Sequence, residues 1–156
     1  MLRRLPIWLF PLLALVLAAI SAIIWQRPAT NNITIAPLAQ NCNLHLAPCN
    51  SFVDNHEIRL DITPKPVPIA KALTFNATLA DLPVAQVQLD INGSNMYMGY
   101  NRITLTQQDK GQWNGKSLLA FCTTDEMQWQ LTLMVDLTDG RQLQIPFPLT
   151  TPYRTE

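Results

Sequence analysis

One long apolar run near the N-terminus constrains this 156-residue chain more than any other feature of its sequence. Residues 5–25 carry no charge, and Ser21 is the one notably polar side chain among them. At a helical rise of about 1.5 Å per residue the run extends about 30 Å, which matches the hydrocarbon core of a bilayer. Backbone polar groups in lipid must bond to each other, so the run predicts a single transmembrane helix.

The residues that flank this run predict its orientation. Arg3 and Arg4 precede it, and the positive-inside rule places the more basic side in the cytoplasm. Residues 1–4 are therefore predicted to be cytoplasmic, and everything after the helix to lie outside the cytoplasm. A cleaved signal peptide is the alternative, because small residues at 18–22 resemble a cleavage site. The apolar run continues past that site through 23–25, which favours an uncleaved anchor.

The rest of the chain divides into a linker with a cysteine loop, residues 26–50, and a folded domain, residues 51–156. Pro28 and Pro37 interrupt any regular period in the linker. In the domain, apolar and polar side chains alternate, which is typical of strands with one buried and one solvent face. The alternating segments are 58–62, 73–79, 86–91, 102–106, 127–136 and 142–147.

The residues between these segments have the chemistry of turns. The segments 109–111 and 139–140 suit hairpins because they contain glycine, which adopts positive φ without strain. Asn92 and Gly93 also fit a tight turn. Six or seven short strands predict an all-β fold, an immunoglobulin-like sandwich after a single N-terminal transmembrane helix. A small closed barrel is the alternative.

Three cysteines follow the apolar run: Cys42, Cys49 and Cys122. In an oxidising compartment two of the three should pair. A bond between Cys42 and Cys49 closes a short loop and leaves Cys122 odd. A bond from Cys122 to either of the others would instead join this segment to the domain. The sequence does not choose between these pairings, so all three cysteines are disulfide candidates.

Soft ligands recur near two predicted strand ends. Met96 and Met98 are two residues apart and share one face of an extended segment. Cys122 and Met127 flank a polar loop, and His45 lies between the first two cysteines. Thiolate and thioether ligands select Cu(I), and imidazole accepts Cu(II) or Zn. These five residues are therefore the candidate copper ligands. The alternative is that the methionines only fill gaps in the core.

Charge and motif content argue against two classes of function. The 11 basic and 11 acidic residues balance and are dispersed, so no basic stripe indicates a nucleic-acid partner. The sequence also has no glycine-rich phosphate loop, no nucleophile elbow and no His-x-x-x-His pair. The chain is therefore not predicted to be an enzyme.

The motifs together resemble a known group of proteins. The chain combines an N-terminal anchor and strands with Met96-Tyr97-Met98-Gly99, Trp113-x-Gly115, Cys122 and Met127-x-Trp129. In this combination, residues 40–150 resemble the bacterial membrane-anchored periplasmic FixH/YtkA-like β-sandwich proteins. The resemblance implies a single-pass protein of the bacterial inner membrane with its C-terminal domain in the periplasm. The segment from Cys42 to Cys49 does not map onto that group.

Two functions follow as expectations. The resemblance and the soft ligands favour a periplasmic binding protein that takes copper or assists cytochrome oxidase and copper-site assembly. Its partner would be a membrane protein complex such as a respiratory oxidase or its assembly factors. The alternative is a structural interaction module that docks such a complex without metal, for example by strand addition. Thiol–disulfide exchange is a distant third, because the chain lacks Cys-x-x-Cys.

Overall fold

The structure, a computed structural model, describes residues 9–25, 32–120 and 126–152. Its contacts divide the chain into two compact units, Met1–Thr30 and Asn31–Glu156. In the first unit, helix α1 (Leu9–Trp25) lies within the predicted transmembrane run. Among the described residues, no helix combines the length and the apolar character needed to cross a membrane.

The described part of the second unit is all-β, as the alternation predicts. Six of its nine strands coincide with the six alternating segments, and three further strands have no such segment. The nine are β1 (Ile33–Ile35), β2 (Cys49–Val53), β3 (His56–Thr63), β4 (Leu73–Leu79), β5 (Val84–Gly93), β6 (Arg102–Asp109), β7 (Gln112–Ser117), β8 (Glu126–Leu137) and β9 (Gln142–Pro152). Strand β1 and the start of β2 lie in the segment 26–50.

The nine strands form one continuous sheet in the order β1-β9-β8-β5-β6-β7-β4-β3-β2. Strand β6 joins its two halves. Residues 102–105 pair with β5, and the later part of the strand, from Thr106, pairs with β7. All neighbouring pairs are antiparallel except β1 and β9, which run parallel. Strands β1 and β2 are therefore the two outer edges.

A single hydrophobic core collects side chains from both halves of the sheet. Ile58, Leu60 and Ile62 of β3 and Leu131 and Leu133 of β8 are completely buried and belong to the same cluster. Burying an aliphatic side chain of this size stabilises a fold by about 1.5–3 kcal/mol. The alternation along each strand therefore specifies which face of each half turns toward this core.

The two ends of the β-domain differ. We call one the turn end, because it holds the tight turns between β2 and β3, β4 and β5, β6 and β7, and β8 and β9. The chain enters the domain at this end, where Gln142 N donates to Asn32 O over 3.1 Å. We call the other the loop end. It holds the loops 64–72 and 94–101, the start of β8 and the end of β9.

Charged side chains stabilise the turn end. The backbone N–H of Arg141 donates to Asp139 Oδ1 over 3.0 Å, and its guanidinium bonds the other carboxylate oxygen over 2.8 Å. The backbone bond, followed by the side-chain bond, holds the pKa of Asp139 below its usual range. Arg141 also lies 3.5 Å from Asp54 in the β2–β3 turn. Arg141 thus links turns from opposite halves of the sheet.

The tight turn expected at Asn92 and Gly93 is wrong. Both residues belong to β5, and Gly93 pairs with Trp129 across the sheet. Glycine is needed at this position because of crowding, since its neighbours leave no room for a side chain. These neighbours are the predicted metal ligands.

Candidate functional site

Methionine side chains converge at the loop end, around Gly93. A Cβ built on Gly93 would lie 2.2 Å from Met127 Cε and 3.1 Å from Met98 Cγ. It would also lie 2.2 Å from the carbonyl oxygen of Met96. Real Cβ atoms do not approach other atoms to 2.2 Å, so glycine at 93 allows these groups to meet. The structure thus packs Met98 and Met127, from separate elements, against the same glycine.

The loop between β5 and β6 has an inward and an outward side. Met96 and Met98 are half-buried and pack against the core, and Met127 beneath them is buried. Between and beyond them, Tyr97 is 88% exposed and Tyr100 is 77% exposed. The loop therefore covers the sulfur side chains while presenting aromatic rings to solvent.

Several polar contacts hold this loop and its flanking residues against the sheet. Arg102 Nε donates to Asp90 Oδ1 over 3.2 Å, and its guanidinium lies 5.2 Å from the centre of the Tyr100 ring. Asn101 Nδ2 donates to Leu118 O over 3.4 Å. A cation over an aromatic face contributes about 0.5–1 kcal/mol at an exposed site. The loop end is thus built from neighbouring segments that hydrogen bonds connect.

Cys42 and Cys49 are joined by a disulfide with an S–S distance of 1.98 Å and Cα atoms 5.3 Å apart. This is one of the pairings that the sequence leaves open. The predicted ligand Cys122 lies outside the described residues. The chain has three cysteines, so Cys122 has no further cysteine in the chain with which to pair.

His45, the candidate ligand between the first two cysteines, uses both ring nitrogens in contacts with the backbone. Its Nε2 donates to Thr150 O over 2.7 Å, and its Nδ1 accepts from Val67 N over 3.1 Å. This pattern corresponds to the neutral tautomer with its proton on Nε2. A metal ion at either nitrogen would displace one of these bonds. The ring therefore ties the disulfide loop to β9 and to the loop after β3.

The disulfide loop also borders a cavity of about 260 Å³ beside β9. The described lining is Cys42, Asn43, Leu44, His45, Pro148, Leu149 and Thr150. Lys65 Nζ donates to Leu44 O over 2.7 Å and lies 2.8 Å from Asp61 Oδ1, which fixes the loop on a second side. The cavity is an open recess with a mixed polar and apolar lining, which it does not share with the methionine cluster.

The part of the chain that the structure describes contains no group of three His, Cys, Asp or Glu side chains placed to hold a metal ion. The methionine cluster is of a different type, because its ligands would be thioethers. The sequence pattern predicted Met96, Met98 and Met127 as ligands, but it placed Gly93 in a turn and did not reveal its role in the cluster. That role, to leave room for the methionine side chains, is visible only from the packing around Gly93.

No protein-family model matches the chain, and no curated protein matches it. The resemblance of residues 40–150 to FixH/YtkA-like proteins is not tested by these comparisons and stays a prediction.

Proposed function

We propose that this chain is a membrane-anchored periplasmic protein whose β-domain binds Cu(I) and assists cytochrome oxidase or copper-site assembly. The observation that carries the proposal is the convergence of Met98 and Met127 on Gly93. Thioethers are soft ligands that select Cu(I) over harder ions. Two such side chains from separate elements would supply part of a coordination sphere.

Cys122 would supply the thiolate of this site. It lies five positions before Met127, so its Cα is at most about 18 Å from that of Met127. The bond between Cys42 and Cys49 supports this role, because it leaves the Cys122 thiol without a partner cysteine in the chain. A cysteine binds metal as the thiolate and must lose its proton first, whereas the thioether of methionine has no proton to lose. Cu(I) affinity should therefore fall at acid pH through the cysteine alone.

We propose the immunoglobulin-like sandwich as the form of the domain. Its support is the single core shared by two halves of one sheet, with β6 paired to both. We also propose the bacterial inner membrane as the location, with residues 5–25 as the single-pass anchor. Its support is the charge-free sequence of that run and the arginines that precede it.

A competition titration of Cu(I) tests the copper proposal. The full-length chain in detergent competes, without oxygen, with a chromophoric Cu(I) chelator. We expect affinity tighter than micromolar, and at least a tenfold loss in Met98→Leu and in Met127→Leu. Leucine preserves the volume of methionine, so each domain should stay folded.

Met134→Leu is the matched control. Met134 lies on the same strand as Met127, about 23 Å further along, and it pairs with Gln88 and Gln144. Its replacement should leave Cu(I) affinity unchanged. Wild-type affinity weaker than micromolar, or an equal loss in all three variants, would contradict the proposal.

A docking module without metal is the second candidate. The exposed rings of Tyr97 and Tyr100 favour it, because tyrosine is enriched in protein interfaces and the loop 94–101 carries no charge. In that case a partner captured from solubilised membranes would stay bound after Met98→Leu and Cys122→Ser. It would be lost after Tyr97→Ser with Tyr100→Ser.

A further inference from the structure

Strand β1 turns its apolar side chains away from the core. Ile33 is 51% exposed and Ile35 is 68% exposed, while Thr34 between them is half-buried. Leu38, three residues further on, is 49% exposed. We call Ile33, Ile35 and Leu38 the apolar strip.

This orientation is locked by hydrogen bonds. A shift of one residue in strand register would exchange the two faces and bury the isoleucines. The backbone prevents it, because Gln142 N donates to Asn32 O over 3.1 Å and Ala36 N donates to Gln144 O over 2.8 Å. Ala36 and Ala39 occupy the core side of the same segment. The exposure of the strip is therefore a fixed property of the fold.

The β9 partners of the strip carry no charge themselves, and the carboxylate of Asp136 on β8 accepts a hydrogen bond from Gln142 Nε2 over 2.7 Å. Ile33 pairs with Gln142 and Ile35 with Gln144 on β9, and both partners are neutral amides. Apolar side chains beside neutral polar groups suit the headgroup region of a bilayer, where apolar groups reach the acyl boundary and polar groups stay hydrated. Strand β1 is an outer edge, and interfacial water can satisfy the backbone groups along it.

Chain length limits what can cover the strip. Ile33 lies eight positions after Trp25, at the end of the apolar run, and an extended chain spans at most about 3.6 Å per residue. An anchor in a bilayer would thus hold Ile33 within about 30 Å of the membrane end of the chain. This continuity between an apolar run and an exposed apolar strip points to lipid as the occupant.

We propose that the apolar strip inserts into the outer interface of the membrane, so that the β1 edge of the domain rests on lipid. The inference depends on the anchor in the proposed function, but not on copper. The loop end, with Tyr97 and Met98, lies at the far end of β9 from Asn32. Contact through β1 would thus leave the loop end available to a protein partner.

Site-directed spin labelling of the full-length chain tests this contact. In a Cys122→Ser background, single labels at Ile33→Cys, Ile35→Cys and Leu38→Cys are examined in phosphatidylcholine–phosphatidylglycerol vesicles. Collision with oxygen, which partitions into lipid, is compared with collision with a water-soluble nickel chelate. We expect the three labels to favour oxygen by at least threefold over a label at Phe52→Cys. Phe52 is the matched control, because it is an apolar residue on the opposite edge strand and is about as exposed as Ile35.

Two results would overturn the contact. If the labels on the strip collide with the nickel chelate as often as the label at position 52 does, the strip lies in water. Labels that are immobile and shielded from both reagents would indicate a protein contact instead, such as a second copy. Whether the protein floats with these vesicles after a carbonate wash distinguishes the membrane anchor from the lipid contact of the strip. Flotation with water-exposed labels refutes the lipid contact alone, and failure to float refutes the anchor and the contact together.

Discussion

At the scale of single residues, the candidate site depends on the absence of a Cβ atom at Gly93. Gly93 has an ordinary extended backbone, so its conformation does not require glycine. It is required because Met127 Cε and Met96 O occupy the place of a Cβ. A methyl group in a tightly packed site forces neighbours out of their rotamers and costs about 1–3 kcal/mol.

We expect Gly93→Ala to destabilise the domain by about 1–3 kcal/mol and to weaken Cu(I) binding at least tenfold. The added methyl would separate Met98 from Met127. Urea unfolding and the Cu(I) competition titration measure the two effects.

Gly115→Ala provides the comparison for this variant. A Cβ there would lie 2.5 Å from Leu105 Cδ2 and 3.2 Å from Ile103 Cδ1, so its nearest neighbours are aliphatic side chains. It should lower stability without changing Cu(I) affinity. Loss of affinity in both variants would show that general destabilisation, and not the methionine pair, controls binding.

At the scale of elements, the part of β9 beyond its pairing with β1 shows how an unpaired stretch of strand is protected. Pro146 and Pro148 have no N–H to offer a further strand. The outward carbonyls of β9 are instead used by the segment that follows β1: Ala39 N donates to Pro146 O over 3.1 Å, and His45 Nε2 reaches Thr150 O. The disulfide closes this covering segment. An uncovered edge would invite pairing with another chain.

We expect the double variant Cys42→Ser/Cys49→Ser to lose about 2.5 kcal/mol of stability, the chain-entropy value for a loop of this length. The slope of the urea transition should change little, because the segment is a small part of the buried surface. Amide hydrogen exchange should increase at Ala39 and Val67, whose N–H groups contact β9 and His45.

Cys122→Ser is the control for the disulfide variant. It should leave both the stability contributed by the loop and the exchange rates at Ala39 and Val67 unchanged. An increase in exchange at those amides after Cys122→Ser would mean that Cys122, and not the loop disulfide, holds the segment in place.

At the scale of the whole molecule, the two halves of the sheet share one core and should unfold together. Each half contains one core tryptophan, Trp113 on β7 and Trp129 on β8. Trp129 Nε1 donates to Thr151 Oγ1 over 2.9 Å within the core, whereas Trp113 Nε1 is buried without a hydrogen-bond partner in the described residues. The two rings thus report separately on the two halves.

We expect variants that retain only Trp113 or only Trp129 to give coincident unfolding midpoints by fluorescence and far-UV circular dichroism, as a two-state domain requires. The variant without Trp129 should be the less stable by about 1–3 kcal/mol, because Thr151 loses its buried partner. Fluorescence midpoints that differ from the circular dichroism midpoint of the same variant would show that the halves unfold separately.

The sequence alone determined the strands whose buried and exposed residues alternate in the usual sense. Strands β3 and β4 were predictable because every second side chain is apolar and enters the core. Strand β2 was not, because its buried face includes Ser51 and its exposed face carries Phe52. Strand β1 is reversed in the same way, and β7 has one buried side chain. A pattern of hydrophobicity cannot reveal strands that do not follow it.

Tertiary structure alone decided which groups meet. Spacing left the cysteine pairings open, and the fold joins Cys42 to Cys49. Spacing suggested Met96 and Met98 as neighbours, but the packing of Met98 and Met127 against Gly93 depends on the pairing of β5 with β8 and on the absence of a side chain at position 93. His45 stays a predicted ligand, and only the fold shows that both its ring nitrogens have backbone hydrogen-bond partners. Local periodicity follows from each strand's own backbone, whereas contacts between distant residues depend on how the strands pair.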